Sequence, residues 1–83
     1  IIMMPCGFDT KRTITECTQS LSSNPKWQNL RAVRNHDTYA VDANSYFSKP
    51  SIRTITGIEI LAKLIHPEKF AELATPKGAF SKI

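Results

Sequence analysis

The sequence predicts a three-layer α/β domain built around a parallel sheet, and three observations support this. Residues 1–4 form an uninterrupted apolar run that ends at Pro5, which is typical of a strand covered on both faces. Residues 38–42 are rich in β-forming side chains and predict a second strand. The intervening segment is long enough for a crossover helix, so the two strands are expected to run parallel in a right-handed βαβ unit.

The first helix is predicted to follow Asp9, because a carboxylate there can accept hydrogen bonds from the free N–H groups of a first turn. Apolar residues then recur at spacings of three and four and give this helix one apolar stripe: Ile14, Cys17 and Leu21. Residues 26–37 are a connector. In it Trp27 is interpreted as a packing anchor over the sheet, with a stacking platform for a ligand as the alternative.

The second helix is predicted over residues 50–65. Pro50 suits a first helical turn, since its missing N–H costs nothing there, and apolar residues follow at helical spacing. Gly57 costs a helix about 1 kcal/mol relative to Ala, so we expect the helix to lie close to another element at this residue. A shorter helix is predicted over residues 67–73, because the preceding His66-Pro67 pair ends the longer one.

Length and charge limit the classes of function. The 83 residues fit one small domain with a marginal core, which favours oligomerisation or pairing with another part of the protein. We place this domain at residues 1–73 and expect a loose C-terminal tail over residues 74–83. Eleven basic and seven acidic residues give a net charge of +4 without a basic run, so no nucleic acid is expected as a partner.

The chain opens inside an apolar strand pattern, whereas domains usually begin at the surface. We therefore interpret it as a fragment of a longer protein, with a native start near Met3 or Met4 as the alternative. Cys6 and Cys17 have neither metal-binding nor redox spacing and fall in different elements, so small buried thiols are favoured over a disulfide.

Catalysis and metal binding have little support in the sequence. His36 lies in a polar turn and His66 at a helix end, and neither is near a nucleophile or carboxylate that would make a catalytic pair. A histidine at a helix end is more often held there by the negative end of the helix dipole. No histidine, cysteine or carboxylate group has the spacing of metal ligands. We therefore predict a protein that is not an enzyme and has no metal site.

Two turns that follow the predicted strands form the candidate ligand site. In the first, Gly7 allows close approach to the backbone, whose free N–H groups can receive an anion or a carbonyl, and a simple capped turn is the alternative. In the second, Tyr46 and Phe47 stand among amide and hydroxyl side chains, a mixture typical of ligand sites. Tyr46 is the expected ligand contact, whereas Phe47 is expected to pack on the sheet.

Both turns are expected at one rim of the sheet. Parallel strands end at the same edge, and ligands of open α/β sheets usually bind there. Arg53, one turn into the second helix, is expected to reach an amide or carboxylate of the ligand. The predicted ligand-binding residues are Cys6, Gly7, Phe8, Asn44, Tyr46, Phe47 and Arg53.

Four segments carry a resemblance to a known family. They are residues 4–9, Trp27 with Leu30, Ala32 and Val33, residues 41–48, and residues 59–62 with the closing His66-Pro67 pair. Together they resemble the C-terminal lobe of class III substrate-binding proteins of ABC importers for cobalamin and iron-siderophores, most closely the cobalamin-binding branch. The resemblance covers most of the chain and implies a Rossmann-like half-lobe.

Several expectations follow from the resemblance. The turn at residues 6–8 and the loop at residues 44–47 would face a ligand cleft shared with a missing N-terminal lobe, and no covalently bound cofactor is implied. The implied partners are the membrane subunits of an ABC importer, and the implied location is periplasmic or extracellular if the protein is bacterial. The chain departs from the family's Arg-Pro-Gly-Pro-Arg run at residues 49–53, where Lys49 cannot make the planar two-pronged contact of Arg.

The function implied is non-covalent binding of a corrinoid (vitamin B12-like) or a similar bulky metal chelate. The alternative is a structural or interaction half-domain that binds no ligand. Such a half-domain would form a homodimer through an exposed sheet edge or through uncovered apolar faces.

Overall fold

The computed structural model describes residues 1–83 and contains six helices and three strands. In chain order these are β1 (Ile2–Met3), α1 (Thr10–Ser20), α2 (Pro25–Gln28), α3 (Arg31–Arg34), β2 (Tyr39–Val41), α4 (Ala43–Tyr46), α5 (Arg53–Ile65), α6 (Pro67–Phe70) and β3 (Phe80–Lys82). The strands form one sheet in the order β1-β2-β3. The protein is therefore a small α/β domain.

The first two strands are parallel, as the sequence predicts. Ile2 lies opposite Tyr39 and Met3 opposite Ala40. The Tyr39 N–H donates to the Ile1 carbonyl at 2.9 Å and extends the pairing by one residue. Both strands are shorter than the predicted runs of residues 1–4 and 38–42. Regular pairing includes two residues of β1 and three residues each of β2 and β3.

The prediction of a loose tail over residues 74–83 is wrong. Residues 80–82 form β3, which runs antiparallel to β2 and pairs Phe80 with Val41. The Asp42 N–H donates to the Ala79 carbonyl at 2.8 Å, and Ala79 is buried. Without β3 the free edge of β2 would leave buried backbone groups unpaired, which proteins avoid. The sheet is therefore mixed and not purely parallel.

The hydrophobic core is small and lies between the sheet and α5. Val41, Ile60 and Ala79 are buried together. Phe47 and Leu64 are among the partly buried side chains that pack against these three. Val41 lies in β2, Ile60 lies in α5, and Ala79 directly precedes β3. Their contact fixes the position of the C-terminal strand.

The other face of β2 is also covered. Successive strand residues point to opposite faces, so Ala40 faces away from the core that contains Val41. Ala40 is nevertheless fully buried. Helix α1 contacts β2 and carries two buried residues, Thr13 and Cys17, so we assign α1 to the face opposite α5.

The predicted helix boundaries hold where a cap or a proline defines them. Asp9 caps α1 by accepting a hydrogen bond from the Arg12 N–H at 2.7 Å. Helix α5 ends at Ile65, before Pro67, as expected. It begins at Arg53 and not at Pro50, and the Arg53 N–H donates to the Ser51 hydroxyl at 3.1 Å. No helix has both the length and the apolar character needed to cross a bilayer.

Candidate functional site

The two predicted turns meet at the carboxyl end of the parallel strands. The Gly7 N–H donates to the Ser48 hydroxyl oxygen at 2.8 Å, and the Asn44 N–H donates to the Phe8 carbonyl at 3.0 Å. The expected neighbourhood of the two turns is therefore confirmed. We call residues 6–8 together with residues 44–48 the rim.

The first turn is built by Gly7. Its φ of 79° is left-handed, and the Phe8 N–H donates to the Pro5 carbonyl at 3.0 Å. Glycine is the residue that adopts this conformation without steric cost. The Gly7 and Phe8 N–H groups are thus both used inside the protein. The expectation that they are free to receive an anion is wrong, because the turn itself and Ser48 take them.

A cation covers one side of the rim. The Arg12 guanidinium carbon lies 3.8 Å from the centroid of the Phe8 ring, which is a close cation–π contact. Phe8 is half-buried and Arg12 is exposed. Arg12 is not among the residues predicted from the sequence. Its spacing of four residues from Phe8, across the start of α1, is the signal that predicts such a contact.

The second turn is the short helix α4. Asp42 caps it by accepting a hydrogen bond from the Ser45 N–H at 2.9 Å. Asn44 is exposed, whereas Tyr46 and Phe47 are half-buried and pack against the core. The expected packing of Phe47 is confirmed. Tyr46, expected mainly as a ligand contact, shares this packing role and offers only part of its surface to the outside.

The remaining predicted residues lie at the surface. Cys6 is an exposed free thiol beside Gly7, so its predicted burial is wrong. Arg53 is exposed at the start of α5, and the structure shows no contact that joins its side chain to the rim. The rim therefore comprises the predicted residues other than Arg53, together with Ser45 and with Ser48, whose hydroxyl links the two turns.

A cavity of about 530 Å³ adjoins the rim and contains none of the predicted residues. It is lined by Asp9, Thr10, Lys11, Ile14, Asp42, Gly78, Phe80 and Ser81. The two aspartates come directly after the first turn and directly before α4, which connects the cavity to the rim along the chain. The sequence predicts Asp9 only as a cap. The wall made by β3 is not predicted from the sequence, because β3 itself is not.

The cavity presents hydrogen-bond acceptors and one cation. Asp9 and Asp42 each accept a capping hydrogen bond at one carboxylate oxygen, Oδ1, and the other oxygen of each has no hydrogen bond within the chain. The Thr10 hydroxyl donates to the Gly78 carbonyl at 2.9 Å and holds the wall closed on one side. Lys11 supplies a positive charge at the same opening. Such a site suits a ligand that carries N–H donors.

The histidine, cysteine and carboxylate side chains of this protein are not clustered. No group of three histidine, cysteine or carboxylate side chains lies close enough to hold a metal ion. Cys17 is buried in α1, and this burial raises the pKa of its thiol above the usual value of 9.0. The Cys17 sulfur is therefore a neutral packing group, as expected, and the two cysteines are not bonded to each other.

Comparisons of the chain with known proteins gave no match. Neither a protein-family model, nor a curated protein, nor a solved structure is similar to it.

Proposed function

We propose that the protein binds a corrinoid or a similar bulky metal chelate, without covalent attachment, at the rim and its adjoining cavity. The observation that carries this proposal is the hydrogen-bonded junction of the two turns. Gly7 and Phe8 are joined to Ser48 and Asn44 by bonds of 2.8 and 3.0 Å. These bonds place aromatic, amide and carboxylate groups at one edge of the sheet, the usual ligand position in this class of fold.

The chemistry of the site suits a large flat ligand with polar edges. Half-buried Phe8 and Tyr46 offer apolar contact area where Arg12 and the core leave their rings uncovered, and the exposed Asn44 amide offers both a donor and an acceptor. Asp9 and Asp42 accept hydrogen bonds from N–H groups. A corrin ring has an apolar face and peripheral amides, so both kinds of surface find partners.

In this proposal the domain is a Rossmann-like half-lobe of a two-lobed class III substrate-binding protein. The parallel β1–α1–β2 unit, with α1 and α5 assigned to opposite faces of the sheet, supports it. A second lobe would close over the other side of the ligand. The membrane subunits of an ABC importer would receive the ligand, in the periplasm or outside the cell if the protein is bacterial. The rim alone covers one side of the ligand, so binding by this chain is weak.

The test is equilibrium dialysis against cyanocobalamin, in which the absorbance of the corrin ring measures the bound ligand and the cyanide on cobalt prevents coordination by the exposed Cys6 thiol. We expect saturable binding at submillimolar ligand. Asn44→Trp places a large side chain over the rim and should weaken binding by about fivefold or more, which corresponds to about 1 kcal/mol. Asn29→Trp is the matched control, because Asn29 is also exposed but ends α2. Absence of saturable binding by the unmodified chain, or equal losses in both variants, overturns the proposal.

A further inference from the structure

The hydroxyl side chains of the cavity beside the rim have already used their protons. The Thr10 hydroxyl donates to the Gly78 carbonyl at 2.9 Å, and the Ser81 hydroxyl donates to the Lys82 carbonyl at 3.3 Å. A hydroxyl has one proton, so each of these oxygens is left with lone pairs only. Both side chains line the cavity. A ligand therefore meets them as hydrogen-bond acceptors.

Two carboxylates add further acceptors to the same lining. Asp9 and Asp42 line the cavity, and their Oδ1 atoms accept the capping bonds of α1 and α4 at 2.7 and 2.9 Å. These bonds restrict the orientation of both side chains. Neither carboxylate forms an ion pair, since the one ion pair in the chain joins His66 and Glu68. The second oxygen of each carboxylate thus has no partner within the chain.

The positive charges near the cavity do not offset these acceptors. Lys11 is the one basic side chain in the lining, so two carboxylates against one ammonium leave a net charge of −1 there. Arg12, the next residue, is held over the Phe8 ring at 3.8 Å from its centroid. The first turn of an α-helix has free N–H groups. Asp9 places its negative charge at that end of α1, which lowers the attraction of the turn for a second anion.

We propose that this cavity selects ligands with amide edges over ligands with carboxylate edges. The inference rests on the proposed function and narrows it, because bulky metal chelates include both amide-edged molecules, such as the amidated corrinoids, and carboxylate-edged ones. An amide edge presents N–H donors to the carboxylates and hydroxyl oxygens of the cavity. A carboxylate edge presents acceptors to acceptors and brings like charges together, which weakens binding. Asp9 and Asp42 are thus the residues that determine this specificity.

The overall charge of the protein favours the opposite preference. The chain has a net charge of +4, which at long range attracts an anionic ligand more than a neutral one. At an ionic strength of 0.1 M, salt screens exposed charges beyond about 10 Å, whereas groups in contact are screened much less. A preference for the amide-edged ligand under these conditions therefore reports the lining of the cavity and not the charge of the whole chain.

Equilibrium dialysis of the unmodified chain compares cyanocobalamin with its monocarboxylic acids, in which one peripheral amide is hydrolysed to a carboxylate. Each acid keeps the corrin ring, the nucleotide and the cyanide on cobalt, so it differs from cyanocobalamin only at one position of the edge. At about 0.1 M salt we expect at least one of these acids to bind about threefold or more weakly than cyanocobalamin.

The chain that carries both Asp9→Asn and Asp42→Asn tests the two residues. An asparagine oxygen can keep each capping bond, and the amide NH₂ group replaces the second acceptor with a donor. This double variant should fold, which circular dichroism verifies, and it should bind cyanocobalamin and the disfavoured acid with equal affinity. Asp37→Asn is the matched control, because it neutralises an exposed aspartate outside the cavity. This control should retain the preference of the parent.

The outcomes separate this inference from the proposed function. Saturable binding of cyanocobalamin with equal affinity for every monocarboxylic acid overturns the inference and leaves the proposed function in place. A preference that survives in the double variant, or that Asp37→Asn also abolishes, overturns the inference as well. Absence of saturable binding for all of these ligands overturns the proposed function and the inference together.

Discussion

The lack of a side chain at Gly57 is required by its neighbours and not by its backbone conformation. A Cβ atom there would lie 2.9 Å from Cε1 of the Phe47 ring and 3.0 Å from the Tyr46 carbonyl oxygen. Gly7 is the opposite case, because nothing lies within 4 Å of its missing Cβ and its φ is positive. Gly57 thus lets α4 approach α5, and it seats the second half of the rim on the core.

Gly57→Ala should therefore destabilise the protein by about 1–2 kcal/mol, although alanine is the better helix former. The overpacking costs about 1–3 kcal/mol and exceeds the propensity gain of about 1 kcal/mol. Urea unfolding followed by circular dichroism measures the change. Thr56→Ala, at the neighbouring half-buried position of α5, is the control and should have a smaller effect. A Gly57→Ala protein more stable than the parent would contradict the close contact.

His36 has a backbone role at the end of α3. It is the one non-glycine residue with a positive φ, 59°. The Asp37 N–H donates to the Ala32 carbonyl at 2.8 Å and the His36 N–H to the Val33 carbonyl at 3.2 Å, which is the Schellman pattern of a helix C-terminus. The turn expected at residues 35–37 is therefore present, and the position of His36 is explained by chain geometry.

At the scale of elements, β3 determines how much of the rim region is enclosed. Phe80 lies opposite Val41 in the sheet, packs against the core and also lines the cavity beside the rim. If the C-terminal residues were a loose tail, Phe80 would contribute little. The antiparallel pairing predicts instead that this side chain supports both the sheet and the cavity wall.

Phe80→Ala should lower the free energy of unfolding by about 1–3 kcal/mol, somewhat less than for a fully buried phenylalanine because Phe80 is half-buried. The matched control is Phe70→Ala in α6, where the side chain is 37% exposed and outside the core cluster. That change should cost less than Phe80→Ala, about 1 kcal/mol, because Phe70 buries its surface outside the core cluster. Equal losses in the two variants, measured by urea denaturation, would argue against the contribution of β3.

The elements that the sequence predicted are those with local signals. The cap at Asp9, the stop before Pro67 and the crossover between two apolar strands all lie in short stretches of sequence, and these features are present. The strand at residues 80–82 was missed because its partner lies about forty residues away along the chain, and a run of three residues has no periodicity of its own. The cavity was missed for the same reason, since part of its wall is β3.

At the scale of the whole molecule, the chain buries few residues and exposes much apolar surface. Nine of 83 residues are buried, and nine large hydrophobic residues are exposed. A core of this size supplies little stabilisation beyond the entropy of folding.

The pH dependence of global stability should contain a contribution from Cys17. Burial raises the pKa of its thiol above 9.0 in the folded state, whereas the unfolded thiol ionises normally. Above pH 9 the folded chain holds this proton and the unfolded chain loses it, so the free energy of unfolding falls with rising pH until the folded thiol also ionises.

Urea midpoints between pH 8 and 10.5 should therefore decline less steeply in Cys17→Ala than in the parent. Identical slopes in Cys17→Ala and the parent would show that burial of Cys17 does not perturb its ionisation.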